Sequence, residues 1–179
     1  MTIEIKKGKN LSKKDSDLMN YYRRKEYSSY KTEDFKKEDP NSDFFFVKDS
    51  GKIVAFGMLK PVNVEYLGKK YNILGIGKGM AIEKGKGYGK IMMAARIKYL
   101  KKTGKTGLGF TLRKNLGFYE KSGLKTSKNF IKRFRYRNPI TGKIVKDNVG
   151  DGIYYEGKDK LISKILSTKS IAYISVPFW

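Results

Sequence analysis

Apolar residues in the first half of the chain form short runs of strand length. Residues 43–48 and 53–59 are apolar runs, and Gly51-Lys52 between them predicts a turn that joins two strands. Residues 71–82 form the next extended run. Its glycines at alternate positions predict a bulged or splayed strand that a ligand or another backbone approaches closely. An ordinary irregular strand is the alternative interpretation of those glycines.

Helical patterns stand before and after these strands. Ser12 and Asp15 form a capping-box pattern, which predicts a first helix that begins near Ser12. From Gly87 onward apolar residues recur at helical spacing until Gly104, a residue typical of a helix C-terminus. Residues 115–122 predict a further short helix.

Strands return in the second half of the chain. Residues 107–112 predict a buried strand. Residues 130–137 alternate aromatic residues with arginines, which predicts one strand with Arg133, Arg135 and Arg137 on a single face. The remaining predicted elements are, in order, a strand, a helix and a strand, at 153–156, 160–166 and 171–176.

This order of elements predicts an α/β fold with a mixed central sheet flanked by helices. The length of 179 residues fits a single domain over residues 1–179, with residues 138–179 as a C-terminal extension. No signal-peptide pattern and no run of about 20 apolar residues is present. We therefore expect a cytoplasmic protein without a membrane partner.

Two missing residue types restrict the chemistry of the chain. It contains no histidine and no cysteine, which removes thiolate chemistry, the commonest general base and the commonest metal ligand. Acid–base work must fall to Glu, Asp, Tyr, Lys, a terminus or water, and no metal site is predicted.

The net charge is strongly positive. Lys and Arg number 40 against 17 Asp and Glu, so the formal charge is +23. Such a charge attracts polyanions through long-range steering and counterion release. A lysine-rich surface that serves solubility alone is the alternative, and composition does not separate the two.

A glycine-rich turn at residues 84–90 separates the irregular strand from the second helix. Alternating glycines allow a sharp turn, and the free amides at the following helix N-terminus suit a phosphate group. A P-loop requires Ser or Thr after Gly-Lys, but Ile91 follows Gly89-Lys90, and no register matches the dinucleotide fingerprint. Lys84-x-x-Gly87-x-Gly89 matches the acetyltransferase motif Arg/Gln-x-x-Gly-x-Gly/Ala, with Lys84 in place of Arg or Gln.

A second motif strengthens this match. Residues 118–124 read Phe-Tyr-Glu-Lys-Ser-Gly-Leu and follow the turn after a helix and a strand. This segment resembles the signature that closes the cofactor half of the GNAT superfamily of N-acyltransferases. The resemblance is specific over residues 71–124 and rests on element order elsewhere.

The resemblance implies a GNAT fold that binds acetyl-CoA, or another acyl-CoA, between two splayed parallel strands at 71–82 and 107–112. By the same resemblance the pantetheine arm would pair with the backbone of Met80, Ala81 and Ile82. The pyrophosphate would lie against the turn, whose residues are Lys84, Gly85, Lys86, Gly87, Tyr88, Gly89 and Lys90. The loop before Gly85 is shorter than is usual in the family.

The resemblance also implies catalytic roles. Tyr119 occupies the position of the general acid that protonates the leaving thiolate, although a packing tyrosine is the alternative. Glu83 and Glu65 are the candidate general bases, with a water relay as a third possibility. The family asparagine seven residues before the tyrosine is Leu112 here, and Asn115 is the nearest substitute for a cofactor contact.

Three functional hypotheses follow, two of which name an acceptor. The first is an amine on a nucleic acid or its complexes, such as tRNA, the ribosome or a DNA base, with Lys132, Arg133, Arg135 and Arg137 as the contact surface. The second is a small molecule or a protein lysine, against which the scarcity of nearby acids counts. The third is a basic nucleic-acid-binding protein that keeps the fold without catalysis.

Overall fold

The computed structural model describes residues 1–27, 31–146 and 150–177. The chain forms two compact units. The first comprises Met1–Lys60 and Lys78–Ala95, and the second comprises Pro61–Gly77 and Arg96–Trp179. Helices pack against strands in each unit, and the strands pair in both parallel and antiparallel directions. The predicted α/β class with a mixed sheet is confirmed.

Three strands begin the first unit. β1 (Thr2–Lys7) pairs antiparallel with β2 (Asp43–Asp49), which pairs antiparallel with β3 (Lys52–Tyr66). The turn between β2 and β3 lies at Ser50-Gly51, one residue earlier than predicted. Both residues have positive φ, 47° and 79°, as a tight hairpin turn requires.

Helices cover these strands. α1 (Lys13–Glu26) begins at the predicted capping box, in which the Asp15 amide donates to Ser12 Oγ at 3.0 Å and the Ser12 amide donates to Asp15 Oδ2 at 2.9 Å. α2 (Phe35–Glu38) follows. The buried core of the unit draws on both helices and on the strands through Leu11, Met19, Phe35, Phe44, Phe46, Phe56, Met58 and Met80.

The remaining elements begin with β4 (Lys69–Ala81), which follows β3 through a turn at Leu67-Gly68 with φ of 49° and 72°. α3 (Tyr88–Thr103) ends as predicted at Gly104, whose φ is 68°. The elements after it are β5 (Gly107–Thr111), α4 (Leu116–Lys121), β6 (Lys125–Ser127), β7 (Phe134–Arg137), β8 (Ile144–Val145), β9 (Asp151–Tyr155), α5 (Leu161–Leu166) and β10 (Ala172–Ile174).

The C-terminal strands lie inside the sheet. β9 pairs antiparallel with both β5 and β6, and β10 pairs antiparallel with β3 and parallel with β7. The strand order is β6-β9-β5-β4-β3-β10-β7-β8, with β2 also paired to β3. The second core lies around Val62, Tyr66, Ile73, Leu108, Phe130, Phe134, Leu161, Ile165 and Ile174.

One strand prediction was wrong in its first half. Residues 130–137 do not form a single strand, because Phe130–Arg133 is a 3-10 helix and only Phe134–Arg137 is extended. Asn129 starts this turn with a left-handed φ of 55°. Phe130 and Ile131 are then buried consecutively, which strict alternation does not allow.

Candidate functional site

β4 is irregular at the position where a ligand was expected to approach it. Its pairing with parallel β5 covers only Leu74 with Gly107 and Gly75 with Leu108, although both strands continue beyond these residues. Lys78 then takes a left-handed φ of 49°, which interrupts the regular pleat. The prediction of a bulged, splayed strand is confirmed.

Acidic residues of the first unit hold the side chain of Lys78. Its ammonium forms an ion pair with Glu33, lies 3.7 Å from Asp39 Oδ2 and stands 5.4 Å from the centre of the Phe35 ring. Asp39 is almost fully buried and pairs with Lys60 at 2.6 Å. These contacts offset the strain of a lysine at positive φ.

The glycine turn between β4 and α3 is open to solvent. Gly85 and Gly87 have φ of 81° and 80°, and no heavy atom lies within 4 Å of the place where a Cβ would stand on either residue. The carbonyl of Gly87 accepts hydrogen bonds from the amides of Lys90 at 3.0 Å and Ile91 at 3.2 Å. The amides that begin α3 therefore stand at an exposed, positively polarised helix end.

Side chains anchor both ends of this turn within the first unit. Tyr88 donates its phenol to Asp49 Oδ2 at 2.8 Å, and this bond to a carboxylate raises the pKa of Tyr88 above its ordinary value. Lys84 donates to both carboxylate oxygens of Glu26 at 2.8 Å. The ammonium at the first motif position thus already has a carboxylate partner on α1.

The predicted pantetheine residues differ in their surroundings. Met80 is buried in the core of the first unit, whereas Ala81 and Ile82 are partly exposed. The Ile82 amide donates to the Val54 carbonyl on β3 at 2.9 Å, so that amide already has a partner. Glu83 is exposed and follows directly.

Tyr119, the predicted acid, lies on α4 in the second unit. Its partly buried ring packs edge-to-face on Phe118 with centroids 5.1 Å apart. Asn115 precedes α4, is exposed and donates to Thr111 Oγ1 at 3.2 Å.

Sequence reasoning missed Arg96. The residue is 1% exposed, and its guanidinium donates to the Gly77 carbonyl at 3.1 Å. Burial lowers its pKa to about 10, and the charge of Tyr119 opposes that shift. The available signal was a single cation within the apolar stripe of α3, among Met92, Met93, Ile97 and Leu100.

Glu65, the second base candidate, pairs with a predicted nucleic-acid contact. Arg137 donates to Glu65 Oε2 at 3.0 Å, and its guanidinium lies 3.9 Å from the centre of the Tyr173 ring. The three residues line a groove in the second unit together with Asn63 and Asn72.

The other two predicted arginines are also engaged within the chain. Arg133 donates to the carbonyls of Ile165 and Ser170, each at 2.9 Å, and to that of Thr168. Arg135 donates to the Lys132 and Phe134 carbonyls at 3.0 and 2.6 Å. A single strand face of arginines is therefore absent from this segment, because Arg133 lies in the 3-10 helix.

The neighbouring lysines differ from these arginines in their exposure to solvent. The exposed side chains include Lys121, Lys125, Lys128 and Lys132.

Within the described residues, none of the helices combines the length and the apolar character that crossing a bilayer requires.

Comparison with known proteins gives a family match over most of the chain. The model of the acetyltransferase (GNAT) family matches residues 12–124. No curated protein sequence matches the chain.

Solved structures resemble the chain at low identity. An acyl-CoA N-acyltransferase from Pseudomonas aeruginosa aligns with a TM-score of 0.58 and 12% identity, over 86% of this chain and 99% of that one. The YlbP N-acetyltransferase of Bacillus subtilis, solved with coenzyme A, gives 0.54 and 18%, over 88% and 97%. Campylobacter jejuni PseH, solved with acetyl-coenzyme A, gives 0.51 and 17%, over 86% and 98%. At these identities the likeness concerns the fold.

Proposed function

This chain belongs to the acetyltransferase (GNAT) family and is an N-acetyltransferase that uses acyl-CoA as co-substrate, and we propose that its 84–90 turn binds the pyrophosphate of that co-substrate. The observation that carries the proposal is the pair of left-handed glycines, Gly85 and Gly87, with open space where side chains would stand. A phosphate can approach this backbone closely, and the N-terminus of the 16-residue helix α3 favours its negative charge.

The rest of the proposed co-substrate site lies along β4. Met80 and Ala81 would pair with the pantetheine arm through their backbone groups, and Ile82 would contribute less because its amide donates to Val54. Lys86 and Lys90 are exposed beside the turn and add positive charge. Lys84 would contribute to pyrophosphate binding only after leaving Glu26.

Tyr119 is the proposed general acid. The co-substrate supplies an activated acyl thioester. The acceptor nitrogen bonds to the thioester carbonyl carbon, the carbon–sulfur bond breaks, and the sulfur takes the proton of the Tyr119 hydroxyl. The phenolate then regains a proton that the acylated nitrogen releases, directly or through water. Glu83 is the better of the two base candidates, since Glu65 is paired with Arg137.

Ligand-dependent melting tests the binding proposal. Acetyl-CoA and CoA should both raise the melting temperature, because a ligand at 100 times its Kd adds about 2.7 kcal/mol to the free energy of unfolding. Pantetheine lacks the pyrophosphate and should stabilise much less. Equal stabilisation by pantetheine and CoA would show that the turn does not bind the pyrophosphate.

An amine on a nucleic acid is one candidate acceptor. The exposed lysines at 121, 125, 128 and 132 favour it, and the net charge of +23 agrees. The arginines first associated with it support it less, because their guanidinium groups bind within the chain. A panel of tRNA, a lysine peptide, a polyamine and an aminoglycoside, each assayed by thiol release from acetyl-CoA, discriminates the acceptor classes.

A further inference from the structure

A chain of three residues connects α1 with the irregular residue of β4 inside the first unit. Asn20 is a buried residue of α1, and its side-chain amide donates to the Glu33 carbonyl at 3.0 Å. The Glu33 backbone amide donates in return to Asn20 Oδ1, also at 3.0 Å. These two bonds fix the backbone of Glu33, whose carboxylate accepts a hydrogen bond from the ammonium of Lys78. The carboxylate is therefore held in place beside β4.

Lysine is a costly residue at position 78. Its φ of 49° lies in the left-handed region, which glycine adopts without strain and other residues rarely adopt. The side chains of Lys78 and Glu33 are only 11% and 18% exposed, so both charges also lose hydration. The ion pair, the carboxylate of Asp39 at 3.7 Å and the Phe35 ring compensate for both costs. The left-handed φ and the ion pair thus depend on each other.

The conformation of Lys78 sets the course of the backbone that follows it. Met80 and Ala81 come two and three positions later, and their backbone groups are the ones proposed to pair with the pantetheine arm. At the other end of this segment the Ile82 amide donates to the Val54 carbonyl on β3 at 2.9 Å. The proposed pantetheine contacts therefore lie between two points at which β4 is held within the first unit.

We propose that Glu33 and Lys78 are positioning residues for acyl-CoA, whose ion pair holds β4 in the irregular conformation that presents the Met80 and Ala81 backbone to the pantetheine arm. This role rests on the proposed co-substrate site along β4. The two side chains act through the conformation of the strand, so that their loss changes the affinity for the co-substrate. Asn20 supports them by fixing the backbone of Glu33.

Two substitutions at one position separate the conformation of the strand from the ion pair. Lys78→Gly and Lys78→Ala both remove the ammonium, but only glycine adopts the left-handed φ without strain. Glu33→Gln removes the charge that holds Lys78. Lys36→Ala removes an exposed lysine of α2 and serves as the matched control. Thermal melting checks the fold of each variant, and calorimetric titration with CoA measures its Kd.

We expect Lys78→Ala to weaken CoA binding by about fivefold or more, because the uncompensated strain moves part of the free protein out of the binding conformation. Lys78→Gly should stay within about twofold of the parent, and Lys36→Ala should match the parent. Glu33→Gln should weaken binding by about threefold, since Asp39 still attracts the ammonium. Adding Glu33→Gln to Lys78→Gly should have no further effect on affinity, because Glu33 acts through Lys78.

Backbone amide resonances give a result without a ligand. In ¹⁵N-labelled protein, the resonances of Met80 and Ala81 should move less in Lys78→Gly than in Lys78→Ala. An equal loss of CoA affinity in these two variants would overturn the positioning role, and so would an undiminished affinity in both. A parent protein that does not bind CoA would instead refute the proposed co-substrate site, and with it the role of the ion pair.

Discussion

Tyr88 and Asp49 join the start of α3 to the end of β2 through a hydrogen bond of 2.8 Å. Tyr88 is the first residue of the helix, and Asp49 is the last residue of its strand. Gly85 and Gly87 within the turn have no side chains, so the anchored residues beside them hold its shape. The phenol–carboxylate bond therefore sets the position of the helix end that we propose for the pyrophosphate.

Tyr88→Phe should weaken acetyl-CoA binding by roughly threefold, since one hydrogen bond that places the turn is lost while the ring packing stays. The bond also predicts a pH dependence. Because the pKa of Tyr88 is raised in the fold, its contribution is full below the ordinary pKa of tyrosine and is lost as pH rises through the raised value. The difference in melting temperature between parent and Tyr88→Phe should shrink as pH rises above the ordinary pKa of tyrosine. A constant difference from pH 8 to 11 would contradict this prediction.

Gly87→Ala should weaken both the fold and co-substrate binding. An alanine at φ of 80° costs about 1–2 kcal/mol, and its methyl group would occupy the space proposed for the pyrophosphate. Gly117 is the matched control, because it is exposed on α4 and has equally open space without positive φ. Gly117→Ala should be neutral or stabilising by up to about 1 kcal/mol. Urea unfolding and CoA titration measure both effects, and equal CoA affinity of the two variants would speak against the site.

Local signals predicted the parts of the fold that depend on neighbouring residues. The cap of α1 follows from Ser12 and Asp15, three positions apart, and the end of α3 follows from Gly104. The irregularity of β4 followed from its alternating glycines, although Lys78 rather than a glycine takes the left-handed φ. The glycine turn was also predicted from the sequence, because the residues of its motif are contiguous.

Interactions between residues far apart in the chain were not predicted from the sequence. β1 was missed although Ile3 and Ile5 alternate with polar residues, because the pattern is only six residues long and its partner strand begins only at Asp43. Arg96 and Gly77 are 19 positions apart, and Arg137 and Glu65 are 72 apart. A side chain's hydrogen-bond partner at such separations depends on the tertiary fold, which periodicity does not encode.

Asp151 should contribute stability that acid removes. It is 3% exposed and accepts hydrogen bonds from Arg113 Nε at 3.1 Å and from the Asn129 amide at 2.6 Å, and these lower its pKa. Asp151→Asn should reduce the free energy of unfolding by about 1–3 kcal/mol at pH 7.

The sign of the pH effect follows from the lowered pKa of Asp151. Its contribution is full above the ordinary value of 3.8 and is lost as pH falls through the lowered value. The stability difference between parent and Asp151→Asn should therefore be constant from pH 7 to pH 5 and should shrink toward pH 2. Urea unfolding at each pH measures it, and a difference that grows in acid would contradict the assignment.

Arg133 and Lys132 are adjacent and should behave differently. Arg133 binds the carbonyls of Ile165, Thr168 and Ser170, at the C-terminal end of α5, where helix carbonyls need donors. Arg133→Gln should therefore cost about 1–3 kcal/mol of stability. Lys132 is exposed, so Lys132→Gln should leave the stability within about 0.5 kcal/mol.

Binding to tRNA across a salt series should reverse this order. Lys132→Gln should reduce the slope of log affinity against log salt by about one phosphate contact if tRNA lies on the exposed lysines. Arg133→Gln should keep the parent slope, because its guanidinium is held by carbonyls of its own chain. An equal loss of slope in both variants would show that Arg133 also contacts tRNA. Weak, salt-independent binding by the parent would contradict the nucleic-acid acceptor.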